Sequence, residues 1–314
     1  MAKNNIIFGP INSRRFGMSL GIDLSPNFKQ CNFDCLYCEL APQATTDKQT
    51  DTLEIEDIVN ELKTHLNEKI DVITLTANGE PTLYPHLDKL IDEIDKIKHQ
   101  TKTLILTNSA TLVDDRIFNS LLKLDKVKLS LDSVTQNIFK RIDRPHNAIN
   151  IDDIIDKVIE FSHTYKGELF IEILFVHQLN DSEDEIKNLN EVLLKVKAKR
   201  VDLGTIDRPP AYPVIGVSYK ELHQISMMFD NSIPIHIASR THAEPNNSYY
   251  SDEDIINTLD KRPLTMDDID LLFDDDSKQR LQKLIQNGTV TTKIVSNIQF
   301  LTPKMHLNRK KSKT

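Results

Sequence analysis

The sequence predicts an α/β fold, a partial (βα)6 barrel of the TIM type followed by a small winged helix-turn-helix domain. Apolar, strand-like runs alternate with amphipathic helical patterns through the first part of the chain. About six such units are present, which is too few for the usual eight of a closed barrel and leaves an open partial barrel or a doubly wound sheet. From residue 251 the pattern changes to three short helical stretches and two strand-like segments, an order that suggests a winged helix.

The strand-like runs of the first part are short, and each is followed by an amphipathic stretch. They cover residues 20–24, 70–76, 103–107, 126–131, 169–176 and 201–205, with 233–238 as a candidate edge strand. Helical patterns stand at 55–66, 87–98 and 151–161. In the last of these, Ile151, Ile154, Ile155, Val158 and Ile159 share one face, as expected for a helix that packs on a sheet.

The second part is predicted as helices at 252–259, 266–273 and 277–286 and as strands at 289–295 and 298–301. A segment with one proline and two asparagines precedes it. We therefore predict a barrel over residues 1–241, a linker at 242–250, a winged-helix-like domain over 251–303 and a basic tail at 304–314.

Composition narrows the class of protein. The chain has 314 residues, of which 39% are hydrophobic and 27% charged, as in ordinary folded proteins, so disordered and fibrous classes are excluded. No apolar run approaches the roughly 18 residues that span a bilayer, and the first residues lack a secretory pattern. We expect a cytoplasmic protein without membrane contact. The net charge of −8 repels polyanions, so nucleic acid binding would need a local basic patch.

The three cysteines form a C-x3-C-x2-C pattern, Cys31, Cys35 and Cys38, in a loop after the first predicted strand. A structural zinc site needs four ligands, and no further cysteine or nearby histidine supplies the fourth. A redox dithiol or three buried thiols would leave the spacing of the third cysteine unexplained. An iron–sulfur cubane held by three thiolates keeps its fourth iron open for another ligand. The spacing favours a [4Fe–4S] cluster.

The pattern C-x3-C-x-Tyr-x-C, with Tyr37 before the last cysteine, resembles the radical S-adenosylmethionine superfamily. The resemblance implies that the open iron chelates S-adenosyl-L-methionine. An electron from the reduced cluster then cleaves the sulfonium to a 5′-deoxyadenosyl radical that abstracts a substrate hydrogen. It also implies an external electron donor such as flavodoxin or ferredoxin. The chemistry would belong to the cofactors, and the protein would orient them.

Polar residues follow the predicted strands, where loops surround the mouth of a barrel. The segment Asn78-Gly79-Glu80-Pro81 resembles the motif of the superfamily that binds the methionyl amino group, with Asn78 in place of the first glycine. The resemblance further implies that Ser130 and Asp132 contact the ribose or carboxylate and that Asn108 lines the same pocket. The adenine ring is expected near the Tyr37 backbone, Val176 and Thr205. For any one position, helix capping and turn formation explain such residues equally well.

Further segments are similar to a little-characterised bacterial and archaeal group related to the tRNA wyosine-base synthases. They include Gly9-Pro10, Ser13-Arg14-Arg15 and Asp207-Arg208-Pro209-Pro210, and the resemblance covers roughly residues 7–240. The wyosine enzymes carry a second set of cluster cysteines, and this chain has none to spare. The departure excludes a second cluster and puts wyosine chemistry in doubt.

Six basic residues are candidates for binding an anionic group of the unknown substrate, because guanidinium groups in particular bind carboxylates and phosphates with two hydrogen bonds. They are Arg14, Arg15, Arg141, Arg144, His146 and Arg208. Two other patterns are coincidental. His242-Ala243-Glu244 lacks the later cysteines of a zinc deaminase, and the aspartates of 267–276 lack the glycine and glutamate positions of an EF-hand.

Three functions remain open. The first is a radical enzyme acting on a small molecule, nucleotide, RNA or peptide. The second is a nucleic-acid-binding redox sensor in which the winged helix is the active module, and the third is an activator whose substrate is a partner protein. Arg280 and Lys283 on the third C-terminal helix and the basic tail would contact nucleic acid, whereas Asp267, Asp268 and Asp270 would repel it. RNA and protein contacts through this module are both open.

Overall fold

The computed structural model describes residues 6–13, 15–67, 69–237, 249–261, 263–295 and 298–304. Its strands are β1 (Ile7–Ser13), β2 (Gly17–Asp23), β3 (Val72–Thr76), β4 (Lys102–Thr107), β5 (Lys126–Ser130), β6 (Glu168–Phe175), β7 (Arg200–Thr205), β8 (Ile235–Ile237), β9 (Val290–Val295) and β10 (Ile298–Pro303). Its helices are α1 (Ile55–His65), α2 (Leu87–Ile97), α3 (Asp115–Leu121), α4 (Gln136–Ile142), α5 (Ile151–Thr164), α6 (Glu183–Leu193), α7 (Tyr219–Ser226), α8 (Asp252–Lys261), α9 (Met266–Leu272) and α10 (Asp275–Gln286).

The strands β1 to β8 form one sheet in sequence order. Neighbours from β2 to β8 pair in parallel, whereas β1 pairs antiparallel with β2. This order is that of a succession of βα units and agrees with the partial barrel rather than with a doubly wound sheet, in which the strand order reverses. The six predicted strands are confirmed, and β8 confirms the candidate edge strand. The prediction missed β1, which carries the dipeptide Gly9-Pro10 that normally marks a turn.

The helices bury one apolar stripe each against the sheet. In α2 the residues Leu87, Leu90, Ile91 and Ile94 are buried, at the spacing that places them on one face. In α5 the buried apolar positions include Ile151, Ile154 and Val158, while Ile155 and Ile159 are half-buried. This layer fixes the outside of the barrel and leaves the loops after the strands to form the site. Among the described helices, none is long and apolar enough to cross a membrane.

The tip of the β1–β2 hairpin reaches the far side of the sheet. Arg15 Nη1 lies 2.5 Å from Glu172 Oε1 in β6 and 3.3 Å from Asp202 Oδ2 in β7. Phe16 packs edge-on against Phe170, with ring centroids 5.0 Å apart. The hairpin thereby ties the first strands to the last ones.

The C-terminal residues form a second, smaller core that packs on β1. Three helices precede the β9–β10 hairpin, and Leu264, between α8 and α9, forms a bridge with Leu301 in β10. Tyr250 stacks on Phe273 and donates a hydrogen bond to the carbonyl of Pro10. The order of elements agrees with the predicted one, while the winged-helix assignment and the domain limits stay predictions. Most of the predicted linker, the pattern at 242–244 and the tail from 305 lie outside the described residues.

Candidate cluster and cofactor site

The cysteine loop follows β2 and is held at its first and last cysteines by backbone hydrogen bonds. The amide of Thr46 donates to the carbonyl of Cys31 at 2.8 Å, and the amide of Ala211 donates to that of Cys38 at 2.8 Å. Cys31, Cys35 and Cys38 are all free and half-buried. Among the described residues, no three Cys, His, Asp or Glu side chains gather closely enough to hold a single ion. A cubane differs from such a site because each thiolate binds a separate iron, so a loop carrying three spaced thiols fits it.

Burial around the thiols disfavours their charged form, and a lysine side chain lies close to them. Burial raises the pKa of Cys35 well above its ordinary value and that of Cys31 to about 12, so iron binding would displace their protons. Lys29 is buried and lies 3.2 Å from Asp34 Oδ1. Burial works against its charged form, but Cys38, Cys31 and Asp34 outweigh that effect and raise the pKa of Lys29. An ammonium at this place offsets the negative charge that three thiolates would bring.

The predicted cofactor segment after β3 is joined directly to the cysteine loop. The amide of Gln30 donates to the carbonyl of Asn78 at 2.8 Å, and the amide of Glu80 donates to the carbonyl of Gln30 at 3.0 Å. Gly79, between them, has φ +133°, a conformation that favours glycine. The residue before Cys31 therefore forms a short parallel bridge with the Asn78–Glu80 segment.

The Glu80 carboxylate is buried and accepts four hydrogen bonds from the chain. Its Oε1 accepts from Thr82 N at 3.0 Å and from the hydroxyls of Thr82 and Thr107 at 2.6 Å each, and its Oε2 accepts from Asn108 N at 2.8 Å. Burial raises the pKa of Glu80, while these hydrogen bonds oppose the shift. The side chain braces the end of β3 against the end of β4. Pro81 follows it and begins a short 3-10 turn.

Asn108 connects the end of β4 to the cysteine loop. Its Nδ2 lies 2.6 Å from Asn32 Oδ1 and 3.8 Å from the sulfur of Cys31. The Asn108 side chain is thus beside the first cysteine, at the edge where the sequence predicted a cofactor pocket.

Tyr37 and the end of β5 meet at a small cavity. The Tyr37 hydroxyl donates to Asp132 Oδ2, and the amide of Leu174 donates to Asp132 Oδ1 at 2.7 Å. Asp143 lines the same cavity, and burial raises the pKa of both carboxyl groups above their ordinary values. Ser130 lines it as well. The structure therefore brings Tyr37, Ser130 and Asp132 together at one cavity, and their contact with a cofactor stays a prediction.

The two positions expected near adenine lie at the base of the loop after β7. Val176 is fully buried and bridges Gly216, and the hydroxyl of Thr205 donates to the carbonyl of Val217 at 2.6 Å. Both residues hold residues 206–217 in place. Contact with a cofactor stays a prediction for each of them.

The cations predicted for an anionic substrate are mostly engaged by carboxylates. Besides Arg15, Arg208 pairs with Glu39 beside the last cysteine. Arg144 Nη1 lies 3.5 Å from Asp34 Oδ2, and its guanidinium stands 4.7 Å from the ring centre of Tyr212. His146 is half-buried and donates its backbone amide to the carbonyl of Asn32 at 2.8 Å. Arg14 lies outside the described residues.

Sequence reasoning did not single out the polar group around Asp34. Its carboxylate accepts a hydrogen bond from Tyr212 Oη at 2.5 Å and lies near Lys29 and Arg144. Lys29 and Asp34 lie close to Cys31 in the sequence, two residues before it and three after it. Opposite charges at these positions were the available sequence signal for this polar group. The sequence holds no signal for Tyr212, because the loop after β7 contacts the cysteine loop only in the folded chain.

Comparison with known proteins gives the family. A family model described as the radical SAM superfamily matches residues 28–190. A UPF0026 protein of Helicobacter pylori is 37% identical over 306 residues, which cover 96% of this chain and 99% of that protein. The predicted superfamily is thereby confirmed.

Two solved structures are similar in fold. A radical SAM methyltransferase from Sphaerobacter thermophilus has a TM-score of 0.54 at 15% identity, over 70% of this chain and 66% of that one. TYW1 with a bound lysine-pyruvate adduct has a TM-score of 0.53 at 18% identity, over 72% of this chain and 76% of that one. At these identities the likeness shows the fold alone. Members of the matched superfamily are enzymes that use a [4Fe–4S] cluster and S-adenosylmethionine. This chain belongs to the radical SAM superfamily and, within it, to the UPF0026 proteins.

Proposed function

We propose that this protein is a radical SAM enzyme that holds one [4Fe–4S] cluster and cleaves S-adenosylmethionine reductively to start hydrogen abstraction from a substrate not yet identified. The observation that carries the proposal is the bridge between Gln30 and Gly79, which joins the three-cysteine loop to the Asn78–Glu80 segment. A loop for the cluster and a segment for the cofactor amino group would need to be held side by side in this way.

Each part of the site has a proposed role. Cys31, Cys35 and Cys38 would hold three irons as thiolates. The segment from Asn78 to Pro81 would bind the methionyl ammonium, with the Glu80 carboxylate bracing it from behind and supplying negative charge. Asn108, Ser130 and Asp132 would contact the carboxylate or ribose, and the Tyr37 backbone, Val176 and Thr205 would border the adenine.

When bound, the cluster and S-adenosylmethionine supply a 5′-deoxyadenosyl radical that takes a hydrogen atom from the substrate. The contribution of the chain is to orient both groups and to keep water away. Three contacts of the loop after β7 serve this purpose, because they cover the cysteine loop: Ala211 with Cys38, Tyr212 with Asp34, and Arg208 with Glu39.

The basic residues near the site bear on how an anionic substrate could bind. Arg15, Arg144 and Arg208 are paired with carboxylates, so an anionic substrate would have to compete with them. Modification of RNA or a nucleotide and activation of a partner protein both remain candidates. In the C-terminal module Arg280 pairs with Asp252 and Asp276, which reduces its value for contacting phosphates. This pairing favours a protein partner for the module over nucleic acid, and also over a nucleic-acid-binding redox sensor.

Anaerobic reconstitution with iron and sulfide tests the proposal. We expect one cubane per chain, an electron-spin signal of the reduced cluster that changes when S-adenosylmethionine is added, and formation of 5′-deoxyadenosine. A cluster whose signal is indifferent to S-adenosylmethionine would contradict the enzymatic role and favour the redox sensor. A chain that takes up no iron would contradict both.

A further inference from the structure

A group of basic side chains without an ion-pair partner among the described residues lies beside the cysteine loop. Lys140 and Arg141 are exposed in the last turn of α4, and His146 follows four residues after that helix ends. We call these three residues the α4 patch. Across the described ranges, no ion pair engages any of them, and the one acidic residue among positions 140–146, Asp143, is buried. Because the whole chain carries a net charge of −8, this patch is a local exception.

The backbone under the α4 patch is hydrogen-bonded to the cysteine loop at three points. The amide of Leu36 donates to the carbonyl of Ile142 at 2.8 Å, the amide of Asp34 to that of Asp143 at 3.1 Å, and the amide of His146 to that of Asn32 at 2.8 Å. Leu36 directly follows Cys35. The path from the patch to the second cysteine is therefore one hydrogen bond and a few covalent bonds, and electron tunnelling favours such short paths.

The proposed function requires an electron from elsewhere. The 314 residues contain three cysteines, all of which are assigned to one cluster, so they offer no ligands for a second cysteine-held cluster as a relay. A separate redox protein would have to approach within tunnelling distance of the cysteine loop. Lys140 and Arg141 of the α4 patch are exposed, and the backbone of the patch is hydrogen-bonded to that loop.

We propose that the α4 patch is the docking surface for an acidic one-electron carrier protein, an inference that rests on the proposed function. In the complex the reduced carrier loses one electron and the cluster held by Cys31, Cys35 and Cys38 gains it, with no bond made or broken. Opposite charges on the two surfaces would steer the encounter and set its orientation. A favourable interaction with the dipole of α4 accounts for Lys140 and Arg141 in its last turn. It does not account for His146 or for the backbone hydrogen bonds to the cysteine loop.

The test compares two double variants of the reconstituted protein. Lys140→Glu/Arg141→Glu reverses the patch. Lys63→Glu/Lys187→Glu changes the net charge equally at exposed lysines of α1 and α6 that have no ion pair among the described residues, and Lys63 also lies in the last turn of its helix. Cluster reduction is followed by stopped-flow absorbance, with purified flavodoxin hydroquinone as one reductant and dithionite as the other.

With flavodoxin at low salt, we expect reversal of the patch to lower the second-order rate constant about tenfold or more, and the control variant to stay within about twofold of the natural protein. The difference should shrink at high salt, because screening weakens steering. Reduction by dithionite should be alike in all three proteins.

A patch variant that flavodoxin reduces at the natural rate overturns the proposal. So does an equal loss with flavodoxin and dithionite, since the cluster itself would then be disturbed. The patch would be assigned to nucleic acid instead if flavodoxin reduces the patch variant at the rate of the natural protein while the variant no longer binds a single-stranded RNA probe. Failure of the proposed function is distinguishable, because it appears in the natural protein as absent iron or as a reduced signal that ignores S-adenosylmethionine.

Discussion

Gly79 lies so close to Gln30 that a Cβ on the glycine would stand 1.9 Å from the Gln30 carbonyl oxygen. We expect Gly79→Ala to lower the free energy of unfolding by about 3 kcal/mol or more, through the clash and the strain of φ +133°. Gly204→Ala is the matched control, because its Cβ would meet only one atom, at 3.9 Å. Urea unfolding of both variants measures the difference. Equal effects would show that the bridge to the cysteine loop tolerates a side chain.

Replacing any one of Cys31, Cys35 or Cys38 by alanine should abolish cluster assembly, because each thiolate is predicted to hold a separate iron. Iron content and the electron-spin signal after anaerobic reconstitution give the readout. Circular dichroism of the unreconstituted variants is the control for folding. Iron content equal to that of the natural protein in all three variants would rule out the assignment.

Glu80→Ala should weaken S-adenosylmethionine binding while the cluster still assembles. Losing the negative charge behind the cofactor segment, together with the brace between the ends of β3 and β4, should lower the affinity about tenfold. The variant should also be less stable, because the donors of Thr82, Thr107 and Asn108 lose their acceptor. Anaerobic calorimetry measures the affinity.

Glu80→Gln separates the two effects. It keeps a carbonyl acceptor toward the threonines but removes the charge, so it should recover much of the stability and little of the affinity. Natural affinity in both variants would reduce Asn78-Gly79-Glu80 to a structural turn.

The pH dependence of stability should change with opposite signs in two aspartate variants. Asp132 has a raised pKa in the folded state, so its contribution is complete below about pH 4 and is lost as the pH rises through the folded pKa. Asp132→Asn should therefore gain stability relative to the natural protein as the pH rises.

Asp125 is the opposite case. Although burial raises the pKa of its carboxyl group, Lys98 and the other partners of Asp125 hold that pKa well below its usual range. Asp125→Asn should lose stability as the pH rises.

Thermal unfolding of the cluster-free proteins from about pH 3 to pH 8 checks both signs, that of Asp125→Asn mainly below about pH 5 and that of Asp132→Asn above about pH 4. A flat difference between Asp132→Asn and the natural protein over this range would contradict the raised pKa of Asp132.

Tyr250→Ala should loosen the C-terminal module from β1 without stopping cofactor cleavage. The residue is buried, stacks on Phe273 with ring centroids 4.4 Å apart and bonds to Pro10, so its loss should cost about 3–5 kcal/mol. Limited proteolysis reports the loosening, and 5′-deoxyadenosine formation reports the activity. Loss of cleavage with a full complement of iron would show that the module completes the active site.

The sequence by itself determined the parts of this protein whose signal is local. The cysteine spacing with Tyr37 indicated the superfamily, and the periodic apolar residues of α2 and α5 indicated helices that pack on a sheet. The polar residues after β3, β4 and β5 were recognisable because each apolar run ends at them. Even the three helices and hairpin of the C-terminal part follow from short-range patterns, since helical and strand periodicities are properties of neighbouring residues.

Only the tertiary structure decided which distant residues meet. The pairing of Gln30 with Gly79, of Tyr37 with Asp132 and of Tyr212 with Asp34 joins segments 49 to 178 residues apart, as their numbers give. For Arg15 the sequence suggests a substrate contact, whereas only the fold shows its ion pairs with Glu172 and Asp202. Strand β1 also escaped prediction, because Gly9-Pro10 indicates a turn and only the pairing with β2 shows a strand there. Contacts of this kind depend on register and chain crossing, which no local pattern records.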